Sequence, residues 1–166
     1  MPELRKFLIT GPPGAGKTTL AHRISQILTP TLHIPVDDLR TWVASGIADA
    51  VPWTDETERQ FQIAEQATLK IAQTYSDNGF NVVIDHCRNL ARLNELFANF
   101  PIKKILLLPT LETTLHQNAH RKNKDFDPQI LVETIEFTHN AYSVADQNGW
   151  TVLKSNVDIE NFLQTI

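Results

Sequence analysis

The sequence contains a single cysteine, Cys87, among its 166 residues. One thiol excludes an intrachain disulfide and a cysteine-rich zinc site, and it is typical of a protein from a reducing compartment. Long apolar runs are also missing. Residues 105–108 fall far below the roughly 18 apolar residues needed to cross a bilayer, and residues 7–9 are too short for the core of a secretory signal. We therefore expect a cytoplasmic protein with no membrane partner.

An excess of positive charge is missing as well. The chain has 15 basic and 19 acidic residues, which give a formal net charge of −4 and a pI near 5.8. This balance disfavours a nucleic-acid substrate, although a local basic groove remains compatible with it. Hydrophobic residues make up 42% of the chain and charged residues 20%, which are ordinary values for a globular protein. The length then predicts a single domain over residues 1–166.

Glycine is scarce, yet three of the 6 glycines lie within six positions of one another, at Gly11, Gly14 and Gly16. A short apolar strand is predicted before them over residues 5–10, and helical spacing of apolar residues begins after them at Leu20. The glycines therefore occupy a strand-to-helix turn. In that context the sequence GPPGAGKT matches the pattern G-x-x-x-x-G-K-[ST]. The residues predicted to bind a nucleotide are Gly11, Pro12, Pro13, Gly14, Ala15, Gly16, Lys17, Thr18 and Thr19.

The chemistry of this pattern explains its residue types. Glycines let backbone amides turn toward phosphate oxygens, and the new helix adds the positive end of its dipole. Lys17 supplies a cation for the outer phosphates, and Thr18 offers a hydroxyl to Mg²⁺. The pattern differs from G-x-G-x-x-G, so a dinucleotide-binding Rossmann domain is disfavoured. We expect ATP and Mg²⁺ as the ligands.

Strands and helices alternate along the remaining sequence. Further strands are predicted over residues 32–36, 81–84, 103–108 and 150–153, and further helices over residues 55–77, 89–98, 110–121, 128–145 and 159–166. Such alternation predicts an α/β fold with a five-stranded parallel sheet between two layers of helices. Pro35 lacks the N–H that a central strand needs, which places the second strand at an edge of the sheet.

Two of these strands end next to acidic residues. Asp37 follows the second strand, and Asp85 follows the third. Because the carboxyl ends of parallel strands meet at one edge of a sheet, both carboxylates are expected near the phosphate-binding loop. A hydrophobic strand ending in aspartate is the usual form of a second nucleotide motif, so Asp85 is predicted to hold Mg²⁺ with Thr18. The alternative is a helix-capping or solvated aspartate.

Asp37 requires a different role, since one carboxylate suffices for the metal. A positioned acid can accept the proton of an attacking hydroxyl, as a kinase requires. Arg40, three residues on, is predicted to bind the substrate. The alternatives are an N-cap at Asp37 and a surface ion pair between the two residues. Trp42, Trp53 and Phe61 flank the same region, and core packing is favoured for them over an acceptor site.

Basic residues follow the fourth strand. Arg121, Lys122 and Lys124 fall in a polar break between two predicted helices. Positive charge there can stabilise a transferring phosphoryl group, and we assign this catalytic role to Arg121. The alternative is a solvated helix end whose basic residues complement the dipole. Arg88, three residues after Asp85, is predicted to contact the substrate.

The sequence resembles a known group, the small P-loop kinases. This group includes polynucleotide 5′-kinase, chloramphenicol phosphotransferase, gluconate kinase and the zeta toxins. GPPGAGKTT at residues 11–19 is similar to their phosphate-binding loop, and VDDLR at residues 36–40 is similar to the substrate segment of polynucleotide kinase. The resemblance implies a sheet ordered 2-3-1-4-5. It also implies that Asp37 is the base and that Arg40 contacts the substrate.

The resemblance extends over nearly the whole chain. Residues 83–85 look like the strand that ends near Mg²⁺, and the helix leading to Arg121 resembles a lid over residues 110–127. One departure lies at Gln117 and Asn118, where relatives often carry an arginine followed by asparagine. This departure leaves Arg121 as the expected lid cation.

Together the residues predict an ATP-dependent kinase that transfers the γ-phosphoryl group to a hydroxyl of a small molecule. One alternative is a polynucleotide 5′-kinase, favoured by the Asp-Asp-x-Arg match and disfavoured by the net acidity. Another is a nucleotide-dependent switch with slow hydrolysis. The acceptor, the preference between ATP and GTP, and the oligomeric state stay open at this stage.

Overall fold

A computed structural model describes residues 4–121 and 127–166. Within these two ranges, strands and helices alternate as the apolar spacing predicts. The strands are β1 (Lys6–Thr10), β2 (Thr31–Pro35), β3 (Asn81–Asp85), β4 (Lys103–Leu107) and β5 (Trp150–Leu153). The helices are α1 (Lys17–Ile27), α2 (Val36–Arg40), α3 (Asp55–Asp77), α4 (Leu90–Leu96), α5 (Leu111–Ala119), α6 (Val132–Val144) and α7 (Asn156–Leu163). A 3₁₀ helix (Pro128–Leu131) precedes α6.

The five strands form one sheet in the order β2-β3-β1-β4-β5, and every pair is parallel. This confirms the predicted order, and it places Pro35 on an edge strand. In the β2–β3 pair Pro35 lies opposite Asp85, and in the β1–β3 pair Ile9 lies opposite Asp85. The carboxyl ends of β1, β2 and β3 therefore meet at one edge of the sheet.

Helices cover both faces of the sheet. Alternate residues of β1 point to opposite faces: Leu8 packs among residues of α3, α4 and α6, whereas Phe7 and Ile9 pack among residues of α1 and α7. Leu8 and Ile9 are fully buried, and burying a side chain of this size stabilises the fold by roughly 1.5–3 kcal/mol. The sheet is thus the middle layer of a three-layer α/β arrangement, as predicted.

The longest helix, α3, begins with a capping box. The Thr54 side chain accepts a hydrogen bond from the N–H of Thr57, and the Thr57 side chain accepts one from the N–H of Thr54. The apolar spacing of this helix predicts one buried face through Phe61, Ala64, Thr68, Ile71 and Tyr75. Phe61, Ala64 and Thr68 are buried, whereas Tyr75 near the end of the helix is 41% exposed. Across the described parts of the chain, no helix is both long and apolar enough to span a bilayer.

The chain differs from the prediction just after β2. The strand ends at Pro35, one residue early, and the next five residues form α2. Asp37 and Asp38 occupy the first turn of α2, and Arg40 occupies its last turn. This order of charges complements the helix dipole. Asp37 therefore lies at the start of a short helix rather than directly at a strand end, but it stays at the carboxyl edge of the sheet.

Candidate active site

The phosphate-binding loop runs from Gly11 to the start of α1 at Lys17. Nζ of Lys17 donates hydrogen bonds to the backbone carbonyl oxygens of Gly11 and Pro12, each at 3.0 Å. Gly16 precedes the helix with a φ of 95°, a conformation that glycine adopts without steric cost. The backbone amides at the start of α1 and the Lys17 cation together favour a bound anion.

Gly14 brings this loop into contact with α5. A Cβ atom at Gly14 would lie 2.9 Å from the carbonyl oxygen of Thr114 and 3.1 Å from Cβ of Asn118. Its φ is also positive, at +83°, so both packing and backbone conformation require glycine. Asn118 in turn donates from Nδ2 to the carbonyl oxygen of Pro128. The loop therefore rests on the segment that follows β4.

Asp85 ends β3 beside the first turn of α1. Its Oδ1 accepts a hydrogen bond from Oγ1 of Thr18 at 3.4 Å, and its Oδ2 accepts one from Nε2 of His33 at 2.5 Å. Carboxylate and hydroxyl oxygens are the hard ligands that suit Mg²⁺. Within residues 4–121 and 127–166, no group of three or more His, Cys, Asp or Glu side chains is placed to hold a metal ion. Thr18 and Asp85 thus fit a Mg²⁺ ion that keeps water or phosphate oxygens as its other ligands.

Sequence reasoning missed His33, which orients the Asp85 carboxylate. His33 lies on β2 two residues before Pro35, the residue paired with Asp85. Residues two apart on a strand share a face, so the strand register is the signal that could have found it. The His33 ring also packs edge-to-face against His22, with 5.1 Å between ring centroids. His33 is therefore held on two sides.

Electrostatic interactions connect the three predicted catalytic residues through Arg121 and Cys87. Burial lowers the pKa of Arg121, and the negative charge of Asp37 opposes that change. Burial raises the pKa of the Cys87 thiol, on which Lys17 and Asp37 act in opposite directions. Asp37 itself is exposed in the first turn of α2. Lys17, Asp37 and Arg121 thus share one end of the sheet.

Arg40 lies against an aromatic stack. Its Nη1 donates to the carbonyl oxygen of Ala48 at 2.5 Å, and its guanidinium carbon lies 4.6 Å from the ring centroid of Phe61. Phe61 stacks on Trp53, with 4.9 Å between centroids and 11° between ring planes. Phe61 is buried, in agreement with core packing, whereas Trp42 is 76% and Trp53 48% exposed, so the prediction of core packing is wrong for the two tryptophans. The guanidinium of Arg40 therefore supports the segment between α2 and α3.

Arg88 is held by two carboxylates. It forms a two-point ion pair with Glu58 and donates from Nε to Glu65 at 2.7 Å. Glu65 is fully buried and also accepts hydrogen bonds from His86 and from Arg92. Burial alone would raise the pKa of Glu65, but hydrogen bonds from His86, Arg88 and Arg92 outweigh it and lower that pKa to about 2. Glu65 therefore fixes Arg88 behind the carboxyl end of β3.

Residues 7–156 match the family model AAA_33, which describes an AAA domain. The chain belongs to the AAA_33 family. The match includes the phosphate-binding loop and both acidic residues, Asp37 and Asp85. The resemblance to small P-loop kinases seen in the sequence is confirmed, because named proteins similar to this AAA_33 domain include such kinases.

Three named proteins are similar to this chain. The shikimate kinase of Shewanella sediminis is 24% identical over 148 residues, which span 84% of this chain and 82% of that protein. A solved sugar kinase from Janibacter sp. is 19% identical, with a TM-score of 0.70 over 98% of this chain and 94% of its own. The tunicamycin resistance protein of Deinococcus radiodurans is 17% identical, with a TM-score of 0.70 over 98% and 93% of the two chains. The two structures show a shared fold, and the named kinases support a phosphotransferase.

The AAA_33 fold brings most of the predicted site to one edge of the sheet. The residues gathered there are Lys17, Thr18, Asp37, Asp85 and Arg121. Arg40 and Arg88 lie nearby but are engaged by other groups of the protein. Lys122 and Lys124, which share the predicted polar break with Arg121, lie outside the described residues. The chemical role of each residue remains a prediction.

Replacing Glu65 with glutamine is expected to destabilise this AAA_33 domain by about 3–5 kcal/mol, because it leaves buried cations without their carboxylate. The matched control is Glu95→Gln, which removes an exposed partner of the same Arg92 and is expected to cost less than about 1 kcal/mol. Urea unfolding of both variants at neutral pH measures the difference. Equal stability of Glu65→Gln and wild type would contradict the assigned role.

The loss of stability expected for Glu65→Gln depends on pH in a defined direction. The pKa of Glu65 is lowered from 4.5 to about 2 on folding, so its contribution to stability is complete above the unfolded value and is lost as the pH falls toward the folded value. The stability difference between wild type and Glu65→Gln is therefore expected to shrink between these two pH values. Unfolding measured at several pH values across that window checks this. A difference that grows on acidification would show that the carboxylate is not stabilised by its partners.

Proposed function

We propose that this chain is an ATP-dependent kinase that transfers the γ-phosphoryl group to a hydroxyl of a small molecule. The observation that carries the proposal is the placement of two acidic residues, Asp37 and Asp85, beside a full phosphate-binding loop. The Asp85 carboxylate contacts Thr18 and suits a metal. The Asp37 carboxylate is exposed and has no hydrogen bond with Thr18. The kinase names among its relatives support the same reaction class.

The nucleotide side is built from the loop and β3. Lys17 and the amides of residues 11–19 would bind the phosphates, and Thr18 and Asp85 would hold Mg²⁺. When bound, Mg²⁺ neutralises negative charge on the phosphate oxygens. Arg121 is proposed to stabilise the charge of the transferring group at the same edge of the sheet. Its half-buried position strengthens that interaction, because fewer waters screen the charge.

The acceptor side is built from α2. An acceptor hydroxyl oxygen attacks the γ-phosphorus, and the bond from that phosphorus to the oxygen bridging the β- and γ-phosphates breaks. The hydroxyl proton passes to a carboxylate oxygen of Asp37, and ADP leaves with the bridging oxygen. The products are a phosphate monoester and ADP. Arg40 is proposed to hold the α2 end of the acceptor site, and Arg88 to support that site through Glu58.

The test is acceptor-stimulated ATP consumption. Wild type and Asp37→Asn are incubated with γ-labelled ATP and Mg²⁺, with separate additions of small alcohols and of a 5′-hydroxyl oligonucleotide, and both label transfer and free phosphate are followed. Label on a small alcohol that vanishes in the variant supports the proposal. Label on the oligonucleotide would instead indicate a polynucleotide kinase. Slow phosphate release that no acceptor stimulates would indicate a nucleotide-dependent switch.

His33→Phe is expected to raise the Mg²⁺ concentration for half-maximal transfer by about 10- to 100-fold, because outer partners of metal ligands contribute that much to metal affinity. The hydrogen bond from His33 to Asp85 is lost, so the carboxylate is no longer held. Affinity for ATP in the absence of Mg²⁺, measured by calorimetry, is expected to stay unchanged. The control is His22→Phe, which keeps that hydrogen bond. An unaltered Mg²⁺ dependence of His33→Phe would remove His33 from this role.

A further inference from the structure

Asn118 is a buried asparagine in the last turn of α5, next to the phosphate-binding loop. It is only 2% exposed, and its Nδ2 donates a hydrogen bond to the carbonyl oxygen of Pro128 at 2.9 Å. Its Oδ1 is buried as well but has no hydrogen-bond partner in the described parts of the chain. A buried acceptor without a donor costs free energy, because it has lost water and gained no other partner. The acceptor half of the Asn118 amide is therefore unused.

A second buried asparagine, Asn81, differs from Asn118 in this respect. Its Nδ2 also donates to a proline carbonyl, that of Pro30 at 3.0 Å, and its Oδ1 accepts a hydrogen bond from the N–H of Arg5 at 2.9 Å. Asn81 begins β3, at the end of the sheet away from the phosphate-binding loop. Both halves of its amide are satisfied, so fold stability explains Asn81. Fold stability does not explain Asn118, since asparagine is also a weak helix former.

Asn118 connects the phosphate-binding loop with the turn that carries Arg121. A Cβ atom at Gly14 would lie only 3.1 Å from Cβ of Asn118, so the loop backbone passes directly against this residue. The carbonyl oxygen of Asn118 accepts a hydrogen bond from the N–H of Arg121 at 3.2 Å. The bond from Nδ2 to Pro128 fixes Asn118 to the 3₁₀ helix that precedes α6. The position of Arg121 relative to the loop therefore depends on Asn118.

Arg121 has donors without partners. Its side chain is half-buried, and it forms no side-chain hydrogen bond or ion pair with any other residue that the structure describes. A guanidinium carries five N–H groups in a fixed planar arrangement. The hydrogen bond from Arg121 to Asn118 joins residues three positions apart, and side chains at that spacing are eclipsed in such a turn. An unsatisfied donor group thus follows an unsatisfied acceptor at the end of α5.

We propose that Asn118 is the positioning residue of Arg121: its Oδ1 accepts one guanidinium N–H when a nucleotide is bound, which directs the other N–H groups at the transferring phosphoryl group. This inference rests on the proposed function and names a residue that Arg121 needs for its part in it. A free arginine side chain has many rotamers, so a fixed hydrogen bond lowers the entropy cost of ordering it. Because Oδ1 gains its donor only in the bound state, the interaction favours that state.

The experiment compares binding of MgADP alone with binding of MgADP and aluminium fluoride, which imitates the planar transferring phosphoryl group. Calorimetry measures both affinities for wild type, Asn118→Ala, Arg121→Ala and the double variant. Alanine at position 118 keeps the Cβ atom that packs against Gly14, so the loop stays supported. The matched control is Asn81→Ala, which removes the other hydrogen bond from a buried amide to a proline carbonyl. Thermal unfolding fixes a temperature at which every variant is folded.

MgADP alone is expected to bind every variant as it binds wild type. With aluminium fluoride, Arg121→Ala is expected to bind about 1000-fold more weakly, which is within the range that such an arginine contributes. Asn118→Ala is expected to bind about 100-fold more weakly, the effect of a small misplacement of a reacting group. The double variant is expected to bind no more weakly than Arg121→Ala, because Asn118 acts through Arg121. Asn81→Ala is expected to unfold at a lower temperature but to bind the mimic as wild type does.

Several results would overturn the inference. These are wild-type affinity of Asn118→Ala for the aluminium fluoride complex, a double variant whose loss is the product of the two single losses, an equal loss in Asn81→Ala, and a wild type that gains no affinity from aluminium fluoride. Transfer to an alcohol together with any of these results would still support the kinase.

Failure of the proposed function gives a different result. If Asn118→Ala and Arg121→Ala show the expected coupling toward the mimic, but wild type transfers phosphate to no alcohol, the positioning role of Asn118 stands and the kinase function is wrong. A nucleotide-dependent switch would behave in this way, because its hydrolysis passes through the same planar phosphoryl group.

Discussion

Asp37→Asn is expected to lower the rate of phosphoryl transfer by about 100- to 10,000-fold, the range that a positioned general base contributes. The amide keeps the size of the side chain but cannot take the hydroxyl proton. The affinity for ATP is expected to stay unchanged, because Asp37 lies on α2 and not on the phosphate-binding loop. Single-turnover transfer from γ-labelled ATP and separate calorimetry of ATP binding measure the two quantities.

The control for Asp37→Asn is Asp55→Asn, which removes an exposed acid from the first turn of α3. It changes the net charge by the same amount, so a shared effect of both variants would reflect charge alone. Asp37 loses its assignment as the base if its variant transfers label at the wild-type rate.

Lys17→Ala is expected to reduce both nucleotide affinity and transfer, with a loss of transfer of about 100- to 1000-fold. The ammonium group is the one side-chain cation of the loop, and its interaction with the outer phosphates strengthens as charge develops in the transition state. Lys17 donates to two carbonyl oxygens of the loop, and its removal leaves the core untouched. Calorimetry with ATP and the transfer assay detect the two losses.

Lys70→Ala is the matched control for this variant, since Lys70 is an exposed lysine on α3 and has no contact with the loop. Its ATP affinity and transfer rate are expected to equal those of wild type. If Lys17→Ala binds ATP and transfers phosphate as well as wild type does, the proposed kinase function is wrong.

Local signals explain why the sheet and the loop could be predicted from the sequence. Gly11, Gly14 and Gly16 mark a turn that no other residue type fits as well, and Pro35 excludes its strand from the centre of the sheet. Each of these effects depends only on residues a few positions away in the sequence. The same holds for the α3 boundaries, because Thr54 and the apolar spacing act over single helical turns.

The supporting residues of the site could not be predicted in this way. His33 meets Asp85 across a strand pair, a contact that depends on the register of β2 against β3. Glu65 meets Arg88 and Arg92 only after α3 has packed beside the end of β3. Both contacts join residues more than 20 positions apart, where local periodicity carries no information. Arg88 could therefore be placed near the site from the sequence, but its pairing with carboxylates could not.

The position of residues 41–54 has an evolutionary consequence. The proposed base Asp37, these residues, and the α3 side chains that hydrogen-bond to them lie within one continuous stretch of chain, from α2 to the first turns of α3, between the edge strand β2 and strand β3. The residues predicted to bind the nucleotide and Mg²⁺ lie outside this stretch, in the loop after β1, on α1 and at the end of β3. Under the proposed function, exchange of this one stretch would change acceptor specificity in one step while the nucleotide-binding residues are inherited unchanged. A fold divided in this way can diversify its substrates faster than one whose two ligands share the same residues.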